Sequence, residues 1–260
     1  MRDIKTQLRL PARWLKYGLR LFRRNPWLLL GLGTASAVLL GLLLLIPFLG
    51  GLLATAVAPV LLAGGYQVLH DTARLSQPVS GEPIGTAMAR APRVFLSIFR
   101  NGQLTLALIM ASIYALIVAL LINILVRIIA GPAWANPLAA LDILPLLGVL
   151  AGMLAGFALY SLLAMTLVFA LPLAMFQDEP LVPAALRSFR RCLRYVVAIL
   201  IMLALALAPV YVNGIMGMAS AALGYLTAVL VGAVTLPLAV AAFYCGYQDL
   251  CPPAEEREAA

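Results

Sequence analysis

The sequence predicts an all-α, polytopic membrane protein with six transmembrane helices, arranged as three two-helix repeats that are each preceded by a basic interfacial helix. Of the 260 residues, 64% are hydrophobic and 11% are charged, and the mean hydropathy is +1.03. Soluble proteins carry about a quarter charged residues. A water-soluble fold could not bury so much apolar surface, so lipid must be the solvent. The apolar runs are continuous rather than alternating, which favours helices over a barrel.

The uncharged stretches set the number of spans, because a spanning helix needs about 20 residues. Trp27–Leu69 is interrupted by a Pro/Gly turn near Pro47 and therefore makes two helices, and Gln103–Val126 makes one. Tyr195–Gln248 also makes two, broken around Pro209, Asn213, Gly214 and Gly217. The predicted spans cover residues 27–46, 50–69, 103–126, 143–177, 195–212 and 219–245.

The stretch Ile143–Gln177 allows two interpretations. As one helix it would be ~50 Å long, against a hydrocarbon core of ~30 Å, so it is either two spans or one tilted span that projects beyond Pro172. With six helices, 17 of the 18 Lys and Arg residues fall on one side, and Arg127 is the exception. Since cytoplasmic loops carry the Lys/Arg excess, we predict six spans with both termini cytoplasmic.

Short motifs recur in the same order along the chain and predict an internal three-fold repeat within a single integral membrane domain, 1–260. Each predicted helix pair follows a basic segment that contains Phe-Arg: "RLFRRN" at 20–25, "SIFRNG" at 97–102 and "RSFRRC" at 187–192. Each pair ends in an aromatic residue and Gln: Tyr66-Gln67, Phe176-Gln177 and Tyr247-Gln248. The units are about 11–70, 82–177 and 179–250, with a tail at 251–260. Successive two-span units keep one orientation, so the symmetry axis should follow the membrane normal.

Four segments carry a resemblance to a known family: "GLRLFRRNPW" (18–27), "PVLLAGGYQVL" (59–69), "DEPLVPAALRSFRRCLRY" (178–195) and "FYCGYQDL" (243–250). The chain resembles bacterial inner-membrane proteins of unknown function, related to the membrane domain fused to some glycerophosphoryl diester phosphodiesterases. The resemblance implies a six-helix fold in the bacterial inner (cytoplasmic) membrane. It carries over no catalytic residues, and the chain contains no phosphodiesterase catalytic domain.

Few residues offer chemistry, so we predict no catalytic residue, no cofactor, no metal site and no enzyme activity. The predicted spans have no ionisable residue in their interior, whereas coupled pumps and intramembrane enzymes usually need one. His70 has no second histidine to share a metal, and the spacing of the three cysteines fits no zinc or redox motif. The formal charge of +8 is explained by topology, and we predict no nucleic-acid partner because groove-reading features are missing.

Small residues at four-residue spacing predict two closely packed helix faces. One ridge is Gly148, Gly152 and Gly156; the other is Gly224, Ala228 and Gly232. We interpret both as packing within the chain, with the two helices against each other as one arrangement; a face for a membrane-protein partner or a second copy is the alternative. Asn123 could hydrogen-bond between helices.

The segment Pro11–Arg24 predicts an amphipathic helix with Trp14, Gly18, Leu21 and Phe22 on one face and basic residues on the other. This is the layout of a helix lying on anionic lipid, and plain positive-inside topology is the alternative explanation. Equivalent helices of the other units would complete a cytoplasmic collar. The predicted headgroup contacts are Arg13, Lys16, Arg20, Arg23, Arg100 and Arg190.

Two function classes fit these features. One is a non-catalytic inner-membrane protein that scaffolds, assembles or stabilises an envelope or membrane complex, or organises lipid. The other is a passive facilitator or carrier of a lipid-like or apolar solute, which would need a cavity between the repeats. A filled centre favours the first class and a continuous cavity the second.

Overall fold

The fold is that of a computed structural model, which describes residues 4–46, 49–74, 99, 102–131, 143–217 and 220–251. Its regular elements in these ranges are all helical. They are α1 (Ile4–Arg24), α2 (Pro26–Leu44), α3 (Gly50–Arg74), α4 (Gly102–Ala130), α5 (Ile143–Leu167), α6 (Ala170–Phe176), α7 (Leu181–Arg194), α8 (Val196–Ala206), α9 (Ala208–Gly217) and α10 (Ala221–Leu250).

Within the described residues, five candidate spans confirm an all-helical, multi-pass membrane protein. They are long and apolar enough to cross a bilayer, with mean hydropathies from 1.7 to 2.7. Their bounds are Pro26–Leu44, Gly50–Ala73, Gly102–Ala130, Leu147–Phe176 and Ala222–Leu250. The predicted turn at 47–48, the second basic helix and the tail beyond Cys251 lie outside the described residues.

The predicted span 195–212 is two short helices, α8 and α9, that meet at Leu207. We expected the last two spans to be separated around Pro209, Asn213, Gly214 and Gly217. The helix α9 runs through the first three positions and ends at Gly217, and α10 begins at Ala221, so the separation falls at the end of the predicted region. The additional break at Leu207 arises because Pro209 has no N–H to continue the α8 ladder, while proline is tolerated in the first turn of a new helix.

The predicted span 143–177 contains one candidate span, divided into α5 and α6 at Val168 and Phe169. Pro172 again explains the position of the break, because its ring cannot accommodate the carbonyl group of Val168 four residues earlier. After α6 the chain turns at Asp178, whose φ is +50°. Asp is one of the few residues that adopt this left-handed conformation readily.

The longest helix, α10, is the centre of the packing. It lies against α1, α2, α8, α9 and α3, while α4 and α5 pack as a pair beside α3. The amphipathic helix α7 lies across α5 and α6. The ends of α3, α6 and α10 therefore meet near α1 and α7, and this region is called the basic end below.

The apolar face of α1 is correctly predicted, but protein covers it instead of lipid. Trp14 and Leu21 are buried, and a Cβ at Gly18 would lie 3.0 Å from the backbone nitrogen of Ala242. The absence of a side chain at Gly18 thus lets α1 approach α10 closely. The expected contact of these residues with the bilayer is wrong, whereas Arg13, Lys16, Arg20 and Arg23 are exposed, together with Tyr17 and Leu19.

Candidate functional site at the basic end

The three aromatic residues of the repeated endings meet in one cluster at the basic end. Tyr244 lies at its centre, with ring centroids 6.4 Å from Tyr66, 6.4 Å from Phe176 and 6.3 Å from Tyr247. The imidazole ring of His70 stacks on Phe176 at 4.3 Å. Ring contacts of this kind stabilise a fold beyond the contribution of the apolar area that the rings bury. The cluster thus joins the ends of α3, α6 and α10.

Hydrogen bonds complete the cluster. The Nδ1 atom of His70 and the hydroxyl group of Tyr244 share a hydrogen bond of 2.9 Å. The side-chain amide of Gln177 donates to the hydroxyl group of Tyr247 and to the carbonyl group of Cys251, each at 3.0 Å. Gln177 therefore holds the last turn of α10 against the end of α6.

The break between α5 and α6 is closed by side chains from two other helices. Pro172 has no N–H to pair with the carbonyl oxygen of Val168, which instead accepts the Tyr66 hydroxyl at 2.9 Å. The N–H of Phe169 donates to Ser188 Oγ at 3.2 Å, and Ser188 donates onward to the carbonyl group of Met165 at 2.7 Å. One hydroxyl group on α7 thus replaces the missing helical bond, which satisfies buried backbone groups that would otherwise be costly.

The C-terminal end of α10 is tied to α1 and α7. Asp249 accepts from the Arg13 guanidinium at 3.0 Å and from the indole N–H of Trp14 at 2.9 Å. Arg191 donates to the carbonyl group of Leu250. A basic residue at the carbonyl end of a helix is also favourable for the helix dipole.

A groove of about 800 Å³ runs between α1 and α7 beside this end of α10. Its arginines are Arg13, Arg187, Arg190, Arg191 and Arg194. Two carboxylates share it: Glu179 pairs with Arg187 at 2.9 Å, and Asp249 pairs with Arg13. We call this surface the arginine groove.

The predicted headgroup residues have different positions. Arg13, Lys16, Arg20 and Arg23 are exposed on α1, Arg190 is exposed on α7, and Arg100 lies outside the described residues. Of these, only Arg13 and Arg190 line the arginine groove. Arg187, Arg191 and Arg194 also line the groove and are not among the predicted residues, although the spacing i, i+3, i+4 and i+7 from Arg187 places four arginines on one face of a helix.

The glycine ridge of α5 packs against α4. A Cβ at Gly152 would lie 2.9 Å from the Cβ of Ala130, and one at Gly156 would lie 3.1 Å from Val126. Gly148 lies against the carbonyl group of Ala130. The arrangement in which the two predicted ridges face each other is therefore wrong, because α4 covers the ridge of α5.

The ridge of α10 is covered by two other helices. Gly224 is buried and Ala228 is partly buried, while Gly232 lies against Ala37 of α2 and Pro209 of α9. The side chains that the two covering helices supply at Gly232, an alanine and a proline, are small enough for the backbones to approach closely.

A third ridge, on α2, was missed although it has the same spacing. Gly33, Ala37 and Gly41 face α10, and a Cβ at Gly33 would lie 2.2 Å from the carbonyl oxygen of Ala233. At Gly41 it would lie 2.8 Å from the ring of Tyr225. The small residues of α2 therefore set its distance from α10.

Asn123 bonds to a second helix, and the three cysteines are buried in the protein. Asn123 donates to the Tyr160 hydroxyl at 2.7 Å, which confirms its predicted interhelical bond. Burial raises the pKa of the Cys192 thiol to about 12, and free Cys192, Cys245 and Cys251 are all buried. Within the described ranges, no group of three or more His, Cys, Asp or Glu residues could hold a metal ion.

Comparison with known protein families, with curated proteins and with solved structures finds no match to this chain.

Proposed function

We propose that the chain is a six-helix protein of the bacterial inner membrane that acts without catalysis, as a scaffold that stabilises a membrane or envelope complex or organises lipid. The observation that carries the proposal is the close packing of its helices through small residues. At Gly33, Gly41 and Gly152 a single added carbon would meet a neighbouring helix within 3.0 Å. Such interfaces suit a rigid body better than a solute path.

The outer surface supports the same proposal, because α4 presents large apolar side chains along its whole length. Leu106, Ile113, Leu121 and Ile128 all lie exposed. Contiguous apolar patches of this size are rare on soluble monomers and mark interaction or membrane surfaces. In this proposal, lipid or the helices of a partner cover them.

The sixth span of the proposal consists of α8 and α9 together. They have 11 and 10 residues and are separated only by Leu207. Their combined length matches the ~20 residues that cross a bilayer. With this span, α1 and the end of α10 lie on the same side, and the positive-inside bias makes that side cytoplasmic.

Reporter fusions test this topology. A reporter fused after Ala260 should be cytoplasmic, and one inserted near Ala135 should be periplasmic. A periplasmic C-terminus would overturn the six-span arrangement.

A lipid-flip assay tests the scaffold against the facilitator. The purified protein is reconstituted into vesicles that contain a fluorescent phosphatidylcholine, and dithionite is added to bleach the outer leaflet. A scaffold with a filled centre should leave the inner-leaflet fluorescence as stable as in protein-free vesicles. Accelerated loss of that fluorescence would contradict the scaffold and favour a facilitator of lipid-like solutes.

Site-specific photo-cross-linking asks what covers α4. A photoreactive residue at exposed Leu121 should give one discrete protein adduct in native membranes, while the same residue at buried Ala115 on the same helix is the matched control. Adducts with lipid alone at Leu121 would exclude a protein partner on this face and leave lipid organisation as the role.

A further inference from the structure

Arg190 lies in the arginine groove with no described carboxylate within ion-pair distance. The two described carboxylates of the groove are already engaged, because Asp249 pairs with Arg13 and Glu179 pairs with Arg187. Like charges at spacings of three and four residues on a helix repel each other. An anion in the groove would therefore relieve repulsion that the fold itself creates.

In the proposed membrane arrangement, the groove lies where a span leaves the bilayer. Asp249 and Leu250, which line it, are the last two residues of the candidate span Ala222–Leu250. Lipid phosphates lie at this level in a membrane. The anion that reaches the groove most readily is therefore part of the bilayer.

An apolar surface adjoins the arginines on the same helix. Leu186 lines the groove and is 55% exposed, and Val182, one turn earlier, is 71% exposed. A free anion would gain nothing from these side chains. A molecule that carries both a phosphate and hydrocarbon chains would contact both surfaces.

We propose that the arginine groove binds the headgroup of an anionic phospholipid, with its phosphate between Arg13 of α1 and Arg190 of α7 and its acyl chains over Leu186 and Val182. Arginine suits this ligand because its planar guanidinium can donate two parallel hydrogen bonds to a phosphate. The inference rests on the proposed membrane location and adds to it a specific lipid class.

The test uses the full chain in nanodiscs of neutral phosphatidylcholine, with phosphatidylglycerol added and bound lipids counted by native mass spectrometry. The groove variant is Arg190→Gln with Arg194→Gln. Its matched control is Arg9→Gln with Arg24→Gln, which removes the same charge from exposed positions on α1 that neither line the groove nor belong to the predicted headgroup contacts. The groove variant should bind phosphatidylglycerol at least roughly tenfold more weakly, and the control should bind like the wild type.

Two further arms identify the source of the anion. Leu186→Ser should weaken binding of phosphatidylglycerol, because the acyl chains lose an apolar contact. Millimolar inorganic phosphate should fail to displace the lipid. If phosphate displaces the lipid and the Leu186→Ser variant binds lipid normally, the groove is a site for free phosphate and the assignment is overturned.

Other outcomes would also overturn it. Equal binding by the groove variant and the wild type, or equal losses in the groove and control variants, would show that there is no specific site. Residues 254–260 contain three glutamates; if removing them alone raised the number of bound lipids, the tail would be the occupant. None of these outcomes alters the flip assay, so failure of this inference is separable from failure of the scaffold proposal. Thermal denaturation of each variant shows that it is folded.

Discussion

Replacing Gly33 by Ala should separate α2 from α10 and destabilise the folded protein. The added Cβ would lie 2.2 Å from the carbonyl oxygen of Ala233 and 2.7 Å from the ring of Pro237. Real Cβ atoms essentially never approach closer than 3.0 Å, so the two helices must move apart by about 0.8 Å or more at this crossing. Neither neighbour is the end of a flexible side chain, so only a shift of the backbone can relieve the clash.

The size of the effect follows from two opposing contributions. Overpacking a well-packed interface typically costs about 1–3 kcal/mol. Replacing Gly by Ala within a helix contributes roughly 0.5–1 kcal/mol of stabilisation, because the unfolded chain loses conformational freedom. The expected net loss is therefore roughly 0–2.5 kcal/mol relative to the wild type and about 1–3 kcal/mol relative to a Gly-to-Ala control without a clash, and each kcal/mol lowers the midpoint of thermal denaturation by roughly 2–4 °C. Gly33→Val should lower it further.

The assay is thermal denaturation in a mild detergent, followed by size exclusion. Gly51→Ala is the matched control, because a Cβ at Gly51 on α3 would meet nothing within 4 Å. The control should be as stable as the wild type or slightly more stable. If Gly33→Ala is as stable as Gly51→Ala, α2 and α10 do not cross at Gly33 and the account of this interface is refuted.

Three further substitutions or modifications test other parts of the basic end and the bundle. Tyr66→Phe should lower the free energy of unfolding by about 1–3 kcal/mol, because it leaves a buried carbonyl group at the helix break without a donor. Tyr114→Phe on the exposed face of α4 is the control and should be neutral. Equal stability of the two variants would contradict the role of the Tyr66 hydroxyl group. Gly152→Leu should disrupt folding or assembly, since its side chain would meet Ala130, and a wild-type midpoint with an unchanged oligomeric state would argue against this packing. Maleimide at pH 8 should label Cys192 only after denaturation, because burial raises the pKa of its thiol from 9.0 to about 12. Between these two values only the unfolded thiol ionises, so the folded state should also lose stability as the pH rises from about 9 towards 12. Rapid labelling of Cys192 in the native protein would contradict the buried environment.

Five of the six predicted spans correspond to long apolar helices in the described residues, because the requirement of about 20 apolar residues for each spanning helix is readily read from a sequence. Where the helices are interrupted was less predictable. Pro172 and Pro209 both mark breaks and α9 ends at Gly217, but Gly214 lies inside α9 rather than in a turn. Proline removes a hydrogen bond wherever it stands, whereas glycine only permits a turn, so a glycine in a membrane helix is weak evidence for an interruption.

The sequence pattern could not predict whether lipid or protein covers the apolar face of an amphipathic helix. The periodicity of α1 identified Trp14 and Leu21 as its apolar face, and both are buried. The same pattern suits a lipid surface and a protein surface equally well, since both are apolar. Gly18 was the distinguishing signal: a glycine at the centre of the face brings nothing to lipid, but it lets α1 approach the backbone of α10 at Ala242.

The candidate site was only partly visible for a related reason. Taken one by one, the positive residues near predicted spans predict separate headgroup contacts, and this includes Arg13 and Arg190 but not the other arginines of the groove. The arginine groove depends on α1 and α7 lying on either side of the end of α10, a tertiary arrangement that no local spacing contains. Only the four arginines on one face of α7 were available from the sequence.

The repeated aromatic-glutamine endings show that similar local sequences need not make similar contacts. An aromatic residue that marks the exit of a helix from the bilayer should be exposed to the headgroup layer, yet Tyr66 and Tyr247 are only 0% and 6% exposed. The glutamines that follow also differ: Gln67 bonds to Asp71 in its own helix at 3.2 Å, Gln177 bonds across to Tyr247, and Gln248 is exposed. The shared feature is therefore the level at which three helices end. An aromatic ring is needed at that level because the three rings pack in one cluster, not because they contact lipid.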